Sequence, residues 1–122
     1  MLIGGKRRWF KIETYGNDLK NLKMTRGDSE SITVNGLNLV PGDTITLTVK
    51  DHVNTDKIAF QRIITEFTDG NAVIGIRPED TKGLKFKKYV YDIELKRADG
   101  TVTTIIKPHE FTIDDEVTTW LI

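Results

Sequence analysis

The stretch DGNAVIGIRPEDT at residues 69–81, continued by YVYDIELKRADGT at residues 89–101, decides the fold predicted for this chain. Apolar and polar residues alternate on both sides of two turns, Asp69-Gly70 and Asp99-Gly100, and glycine readily adopts the positive φ that such turns need. The order is strand, corner, strand, tight turn and strand. This pattern is typical of an antiparallel β-sandwich and has no feature of a catalytic centre.

The same alternation extends through the neighbouring segments. Between residues 44 and 50, threonines separate the apolar residues and are predicted to face solvent, because β-branched side chains suit a half-buried sheet. Within residues 58–67, two adjacent isoleucines indicate a bulge or a change of sheet. The residues predicted to face the core are Ile45, Leu47, Val49, Ile58, Phe60, one of Ile63 and Ile64, Tyr89, Tyr91, Ile93 and Leu95.

Three short motifs are predicted to connect or end strands. Pro78–Thr81 is expected to form a helical corner, since a proline in the first helical turn needs no amide donor. Ala98-Asp99-Gly100 fits a three-residue hairpin loop with its glycine in the left-handed conformation. Pro108 is predicted to end the strand of residues 102–106, because proline cannot donate to the ladder of a sheet.

The sequence therefore predicts an all-β fold, an antiparallel and immunoglobulin-like β-sandwich of seven to eight short strands with a short helical corner near Pro78–Thr81. We expect three parts along the chain. Residues 1–18 are predicted to form an N-terminal basic-aromatic arm, residues 19–115 the β-sandwich domain, and residues 116–122 an apolar C-terminal tail.

Composition excludes several classes of function. The 122 residues include 18 basic and 18 acidic side chains, so no overall field favours nucleic acid or an anionic membrane surface. Cysteine is absent, which removes disulfides and thiolate metal sites. The segment of residues 1–5 is too short to be the apolar core of a signal peptide, and no apolar run reaches membrane-spanning length. We expect a cytoplasmic protein, or one released by a route other than secretion, with neither nucleic acid nor membrane as a partner.

Few residues offer catalytic chemistry. His52 lies in a polar loop and His109 follows a proline, and neither is tied to a partner by spacing. Ser29 and Ser31 are the only serines. The acidic run of residues 114–116 lacks the ligand spacing of a calcium loop. We expect a protein that is not an enzyme and that has no cofactor and no metal.

Arg26-Gly27-Asp28 spells the integrin-binding tripeptide. Integrin binding requires an exposed loop tip and an extracellular setting. A turn just before a strand explains the same three residues without these two requirements, and we favour that interpretation.

Both ends of the chain carry candidate docking residues. The run of residues 6–11 mixes basic and aromatic side chains, as contacts with nucleic acid or membrane surfaces do, but a small cluster on a neutral protein favours an arm that docks on the body or on a neighbouring subunit. Exposed aromatic ends usually need a partner to cover them. The partner-binding candidates are Arg7, Arg8, Trp9, Phe10, Trp120, Leu121 and Ile122.

Two further groups have a structural and a functional interpretation. Lys82, Lys85, Lys87 and Lys88 are predicted to protect an edge strand from unwanted pairing, with a charged partner surface as the weaker alternative. Tyr89 and Tyr91 could stack on a sugar, but their alternation with aliphatic residues favours a place in the core.

Several motifs in a fixed order carry a resemblance to a known family. They are Arg26-Gly27-Asp28-Ser29, Gly42-Asp43, Asp69-Gly70 with the corner Pro78-Glu79-Asp80-Thr81, Tyr89-Val90-Tyr91-Asp92-Ile93, and Asp99-Gly100. Together they resemble the amino-terminal β-sandwich of baseplate upper proteins and related small tail proteins in phages and prophages of Gram-positive bacteria. The resemblance covers about residues 19–115 and carries over no catalytic residue.

This resemblance implies a non-enzymatic structural protein of a phage or prophage tail or baseplate. Such a protein acts by protein–protein docking in virion assembly or host attachment. Its partners would be other tail or baseplate proteins, in an assembly that contains several copies of this chain, and it would be assembled in the bacterial cytoplasm into the virion. The alternative is a carbohydrate-binding or adhesin-like β-sandwich module.

Overall fold

The computed structural model describes the backbone of residues 7–12 and both backbone and side chains of residues 21–115. These residues contain eight strands and one short helix, which confirms the all-β prediction. The elements are β1 (Arg7–Ile12), β2 (Leu22–Thr25), β3 (Ser29–Val34), β4 (Thr44–Lys50), β5 (Ile58–Ile64), β6 (Ala72–Ile76), α1 (Pro78–Thr81), β7 (Lys87–Lys96) and β8 (Val102–Asp114).

The strands form two sheets. One has three strands in the order β1-β3-β6, and the other has five in the order β2-β8-β7-β4-β5. Most neighbours are antiparallel, as predicted, but β1 pairs with β3 and β2 pairs with β8 in parallel. The chain crosses from the five-stranded to the three-stranded sheet at the turn after β2. The amide of Arg26 still donates to the carbonyl of Asp114 at 2.9 Å, which continues the β2–β8 ladder into that turn.

The core lies between the two sheets. Ile45, Leu47 and Val49 of β4 are fully buried, and the threonines between them are half-buried, as the alternation predicts. Tyr91 and Phe60 each pack edge-on against Phe111, with ring centroids 5.8 Å and 6.0 Å apart. Such pairs add stabilisation beyond the buried area. Tyr89 and Tyr91 are 3% and 1% exposed, so their predicted place in the core is confirmed.

The prediction for β5 was partly wrong. Phe60 is buried, but Ile58 is 46% and Ile63 is 58% exposed, while Ile64 is half-buried against the core. The reason is the position of the bulge. Phe60 is in register with Val49 and Ile58 with Lys50, so Ala59 is the extra residue, and Ile58 lies level with a residue of the outer face.

Pro108 does not end a strand, because β8 continues through it to Asp114. Tyr91 is in register with His109 and Ile93 with Ile106, which leaves Lys107 and Pro108 opposite a single residue of β7. Proline is tolerated at such a bulge since no ladder donor is needed there. A second irregularity at Ile105 explains why two consecutive isoleucines, Ile105 and Ile106, are both buried.

The predicted corner and hairpin are both present. The carboxylate of Asp80 accepts the amide of Arg77 at 2.8 Å at the start of α1. In the β7–β8 hairpin, the amide of Gly100 donates to the carbonyl of Arg97 at 2.9 Å, and Gly100 has φ of 93°. This is the three-residue loop with a left-handed glycine that the sequence predicts.

Side chains also tie the two sheets together. Arg62 of β5 donates from Nε to the carbonyl of Gly75 on β6 at 2.9 Å, so a side chain bridges the two neighbouring sheet edges. Near the β7–β8 hairpin, the buried carboxylate of Asp43 accepts the amide of Val40 at 3.0 Å and Nη1 of Arg97 at 2.8 Å. The Gly42-Asp43 motif therefore has a structural role.

Candidate functional site

The terminal docking candidates lie mostly outside the described residues. Trp120, Leu121 and Ile122 fall beyond them. Arg7, Arg8, Trp9 and Phe10 belong to β1, whose backbone runs in register with residues 29–32 of β3. The segment predicted as an arm thus contributes a strand to the three-stranded sheet. The role of these seven residues in docking stays a prediction, as do the boundaries of the arm and the tail.

The Arg26-Gly27-Asp28 tripeptide forms the turn between β2 and β3. Gly27 has φ of 85°, and its amide donates to Oγ1 of the fully buried Thr81 at 2.8 Å. The Arg26 guanidinium donates from Nη1 to the carbonyl of Leu84 at 3.0 Å and from Nη2 to the Asp115 carboxylate at 3.2 Å. These contacts hold the turn against the helical corner, which supports the structural interpretation of the tripeptide.

Among the described residues, neither histidine belongs to a cluster of acidic groups. His52 lies in the exposed loop after β4, and Nδ1 of His109 is 2.7 Å from the carbonyl of Lys107 in its own strand. Within residues 7–12 and 21–115, no three histidine, cysteine, aspartate or glutamate residues lie close enough to hold a metal ion. In the same part of the chain, no helix has the length and apolar character needed to cross a membrane.

One concave region, which we call the outer-face groove, lies on the outer face of the five-stranded sheet. Its volume is about 330 Å³. The bulges at Ala59 and at Lys107 and Pro108 fall in the strands beside it, and bulges bend a strand and increase its twist. The groove is lined by Thr46, Thr48, Lys50, Val53, Ile58, Gln61, Val90, Asp92, Glu94 and Pro108.

The outer-face groove is polar along its centre. Gln61 donates to Oγ1 of Thr48 at 2.9 Å. Partial burial, with a smaller contribution from Glu94, raises the pKa of Asp92, while Lys50 opposes the shift. Hydroxyl, amide and carboxylate groups in a shallow groove can form hydrogen bonds with a polyhydroxylated ligand or contact a polar protein surface.

A second concave region, which we call the basic cavity, lies where the α1–β7 connection meets the loop after β4. Its volume is about 270 Å³. Nζ of Lys87 is 3.2 Å from the Asp51 carboxylate and 5.2 Å from the ring centroid of Tyr89. The lining residues are Asp51, Lys57, Ala59, Gly83, Leu84, Lys85, Lys87 and Tyr89.

Hydrogen bonds order one wall of the basic cavity. The Tyr89 hydroxyl donates to the carbonyl of Lys85 at 2.7 Å, which fixes the connection between α1 and β7. Burial raises the pKa of Tyr89. The hydrogen bond from Lys87 is the main cause that lowers the pKa of Asp51, so this carboxylate is ionised at neutral pH.

The lysine-rich stretch of residues 82–88 was predicted to lie on an edge strand, and that placement was wrong. Lys82 and Lys85 lie in the connection before β7, and Lys87 and Lys88 begin β7. This strand lies between β8 and β4, in the middle of the five-stranded sheet. The ladder with β4 begins only at Val90, however, so Lys87 and Lys88 pair with β8 alone.

Sequence reasoning identified the lysine stretch but neither concave region. Asp92 and Glu94 alternate with core residues and so give no local signal beyond a solvent-facing side. Lys57 belongs to a loop far from Lys85 along the chain, and only the fold brings the two together. The weaker alternative for the lysines, a charged partner surface, stays a prediction.

The sequence matches no protein-family model and no curated protein. The structure is similar to the N-terminal domain of phage TP901-1 ORF48, with a TM-score of 0.53 and 8% sequence identity over 88% of this chain and 98% of that chain. It is also similar to CopC from Methylosinus trichosporium OB3b, with a TM-score of 0.46 and 13% identity over 91% of this chain and 88% of that chain. The second score is too low to support an inference, and the first shows that this chain has a fold like that of a phage protein domain.

Proposed function

We propose that this protein is a non-enzymatic structural component of a phage or prophage tail or baseplate. It acts by docking to other tail proteins during virion assembly or host attachment, in an assembly that contains several copies of the chain. It is assembled in the bacterial cytoplasm and resides in the virion. The observation that carries the proposal is the likeness to the ORF48 domain, which extends over 98% of that domain.

The structure supports this proposal in two ways. The motifs that resemble baseplate upper proteins occupy structural positions. Gly27, Asp43 and Thr81 form hydrogen bonds that stabilise turns and the helical corner. Apolar side chains such as Val40 and Val73, 52% and 48% exposed, are available on the surface for contact with neighbouring proteins.

The direct test is to ask where the protein is found. Phage particles purified from the host that carries the gene are analysed by quantitative mass spectrometry and by electron microscopy with a gold-labelled antibody against this protein. We expect a fixed copy number per particle and label at the tail tip. A protein that stays in the cell lysate while intact tails lack it would overturn the proposal.

The terminal docking prediction has its own test. Residues 7–12 form β1 at the edge of the three-stranded sheet, so a chain without residues 1–12 keeps β3 paired with β6. We expect this truncated chain to fold but to associate more weakly with itself or with tail proteins. Light scattering measures the change, and unchanged assembly would count against a docking role for Arg7, Arg8, Trp9 and Phe10.

A carbohydrate-binding or adhesin-like module is the second candidate, and the outer-face groove favours it. Its threonine, glutamine and carboxylate groups offer hydrogen bonds to a sugar. However, none of the residues that line the groove is aromatic, and the two core tyrosines are buried. A glycan array distinguishes the candidates: repeated micromolar binding that is lost in Asp92→Ala would favour the module over the tail protein.

A further inference from the structure

Positive charge is concentrated around the basic cavity. Lys57 comes from the loop after β4, Lys85 from the connection after α1, and Lys87 from the start of β7. Asp51 is the only acidic residue among those that line the cavity. Since the chain has no formal net charge, this cavity is a local excess of positive charge on a neutral protein.

Two of these charges form no hydrogen bond or ion pair with the described residues, although the charge of Lys57 helps to lower the pKa of Asp51. Lys87 pairs with Asp51 at 3.2 Å. Lys57 and Lys85 are exposed, and among the described residues neither ammonium group has a hydrogen bond or an ion pair. Neighbouring like charges repel each other, and an anion that enters between them relieves this repulsion.

Apolar surface lies next to these charges. Ala59 and Leu84 line the cavity, and both pack against the core from outside. Phe86, which is 56% exposed, lies between Lys85 and Lys87 in the chain, and the Arg26 guanidinium is 5.7 Å from its ring centroid. An exposed aromatic ring among cations is characteristic of protein interfaces.

We propose that the basic cavity binds an acidic segment of a partner protein. A carboxylate side chain of that segment enters between Lys57 and Lys85, and an adjacent apolar side chain packs against Ala59 and Leu84. This inference deepens the proposed function and rests on it for the kind of partner, another tail or baseplate protein.

A peptide carboxylate fits the cavity better than a phosphate or a nucleic acid. No arginine lines the cavity, and because a guanidinium binds carboxylate and phosphate alike, the apolar wall is what favours the peptide. The aliphatic groups of Ala59 and Leu84 suit the methylene groups of a glutamate side chain. Nucleic-acid binding draws on neutralisation of many phosphates, and a neutral chain with one small basic cavity supplies few contacts.

The test is a titration of the full, isotope-labelled chain followed by nuclear magnetic resonance. The probe is a synthetic octapeptide with equal numbers of glutamate and leucine residues, and a lysine–leucine octapeptide is the matched control. We expect amide shifts confined to Lys57, residues 83–87 and their neighbours, weaker at higher salt because surface charges are screened. The lysine–leucine peptide is expected to cause none.

Charge reversal makes the test specific. In Lys57→Glu/Lys85→Glu, affinity for the glutamate peptide is expected to fall about tenfold or more, as when a charge pair is lost at an interface. The control Lys96→Glu/Lys107→Glu changes the net charge equally at two exposed lysines away from the cavity and is expected to bind like the wild type. Lys57→Gln/Lys85→Gln replaces the reversal variant if that variant does not fold.

Three results would overturn the inference: no shifts with the glutamate peptide, shifts that persist unchanged in the charge-reversed variant, or inorganic phosphate or a thymidine dodecamer bound at the same residues as tightly as the peptide. The titration contains no phage component. A failure here therefore leaves the virion test standing, and a failure of the virion test leaves the measured peptide binding intact.

Discussion

The two faces of β7 show how one strand serves two purposes. Tyr91 and Ile93 point into the core and are almost fully buried, whereas Asp92 and Glu94, which alternate with them, line the outer-face groove. The inner face is chemically uniform and determines the packing of the two sheets. The outer face mixes charges and apolar groups that the packing does not need. This difference indicates that the stability of the sheet depends mainly on its inner face.

The largest effect on the free energy of unfolding is expected for a substitution on the inner face. Tyr91→Ala should lower the free energy of unfolding by about 3–5 kcal/mol, because it removes a large buried ring and leaves a cavity beside Phe111. Glu94→Ala on the outer face of the same strand should change it by less than about 0.5 kcal/mol. Urea denaturation measures both, and similar values for the two variants would contradict the contrast between the faces.

A polar group on the buried side is expected to have the next largest effect. Thr81→Val keeps the shape of the side chain but removes the oxygen that accepts the amide of Gly27 at 2.8 Å. An unsatisfied amide of this kind costs about 1–3 kcal/mol. Thr103→Val, at an exposed position of β8, is the matched control. A thermal and urea unfolding series in which both threonine variants behave alike would show that the corner does not depend on this bond.

The pH dependence of stability should have opposite signs for Asp43 and Asp92. The hydrogen bond from the Val40 amide, followed by that from Arg97, lowers the pKa of Asp43 below 3.8. A lowered pKa in the folded state means that the stabilisation is present above pH 3.8 and is lost as the pH falls through the folded value. The advantage of the wild type over Asp43→Asn should therefore shrink in acid, which unfolding measured from pH 7 down to acid pH would reveal.

The smallest expected effect lies on the outer face. Burial raises the pKa of Asp92 in the folded state above 3.8. Its favourable contribution to the free energy of unfolding is therefore complete below pH 3.8 and is lost as the pH rises through the pKa of the folded state. Asp92→Asn should accordingly be more stable than the wild type at pH 7, by less than about 0.5 kcal/mol, and equal to it in acid. A variant less stable than the wild type at neutral pH would mean that the carboxylate has a partner that stabilises it.

Much of the fold could be predicted because its signals are local. The inward positions of β4 and β7, the proline corner at α1 and the hairpin at Gly100 each follow from spacing or backbone preference within a few residues. The β5 prediction went wrong at Ile58, and the Pro108 prediction failed, for one common reason. Both depend on bulges, and a bulge is defined by the partner strand and not by the strand that contains it.

The candidate site could be predicted only in part. The lysines of residues 82–88 stood out in the sequence, but their predicted role assumed an edge strand, and strand order is a long-range property. The outer-face groove gave no signal because it combines side chains from several strands. The terminal docking residues remain a prediction from composition and from the need to cover exposed aromatic groups.

By itself, the sequence of this protein determined that it folds into two apolar-faced β layers joined by glycine turns and a proline corner, because side-chain alternation and turn preferences act over short distances. Only the tertiary structure decided which strands lie at the centre, where the ladders bulge, and that Lys57 and Lys85 face one cavity. Those properties depend on contacts between residues that are distant in the chain, and no local preference specifies them.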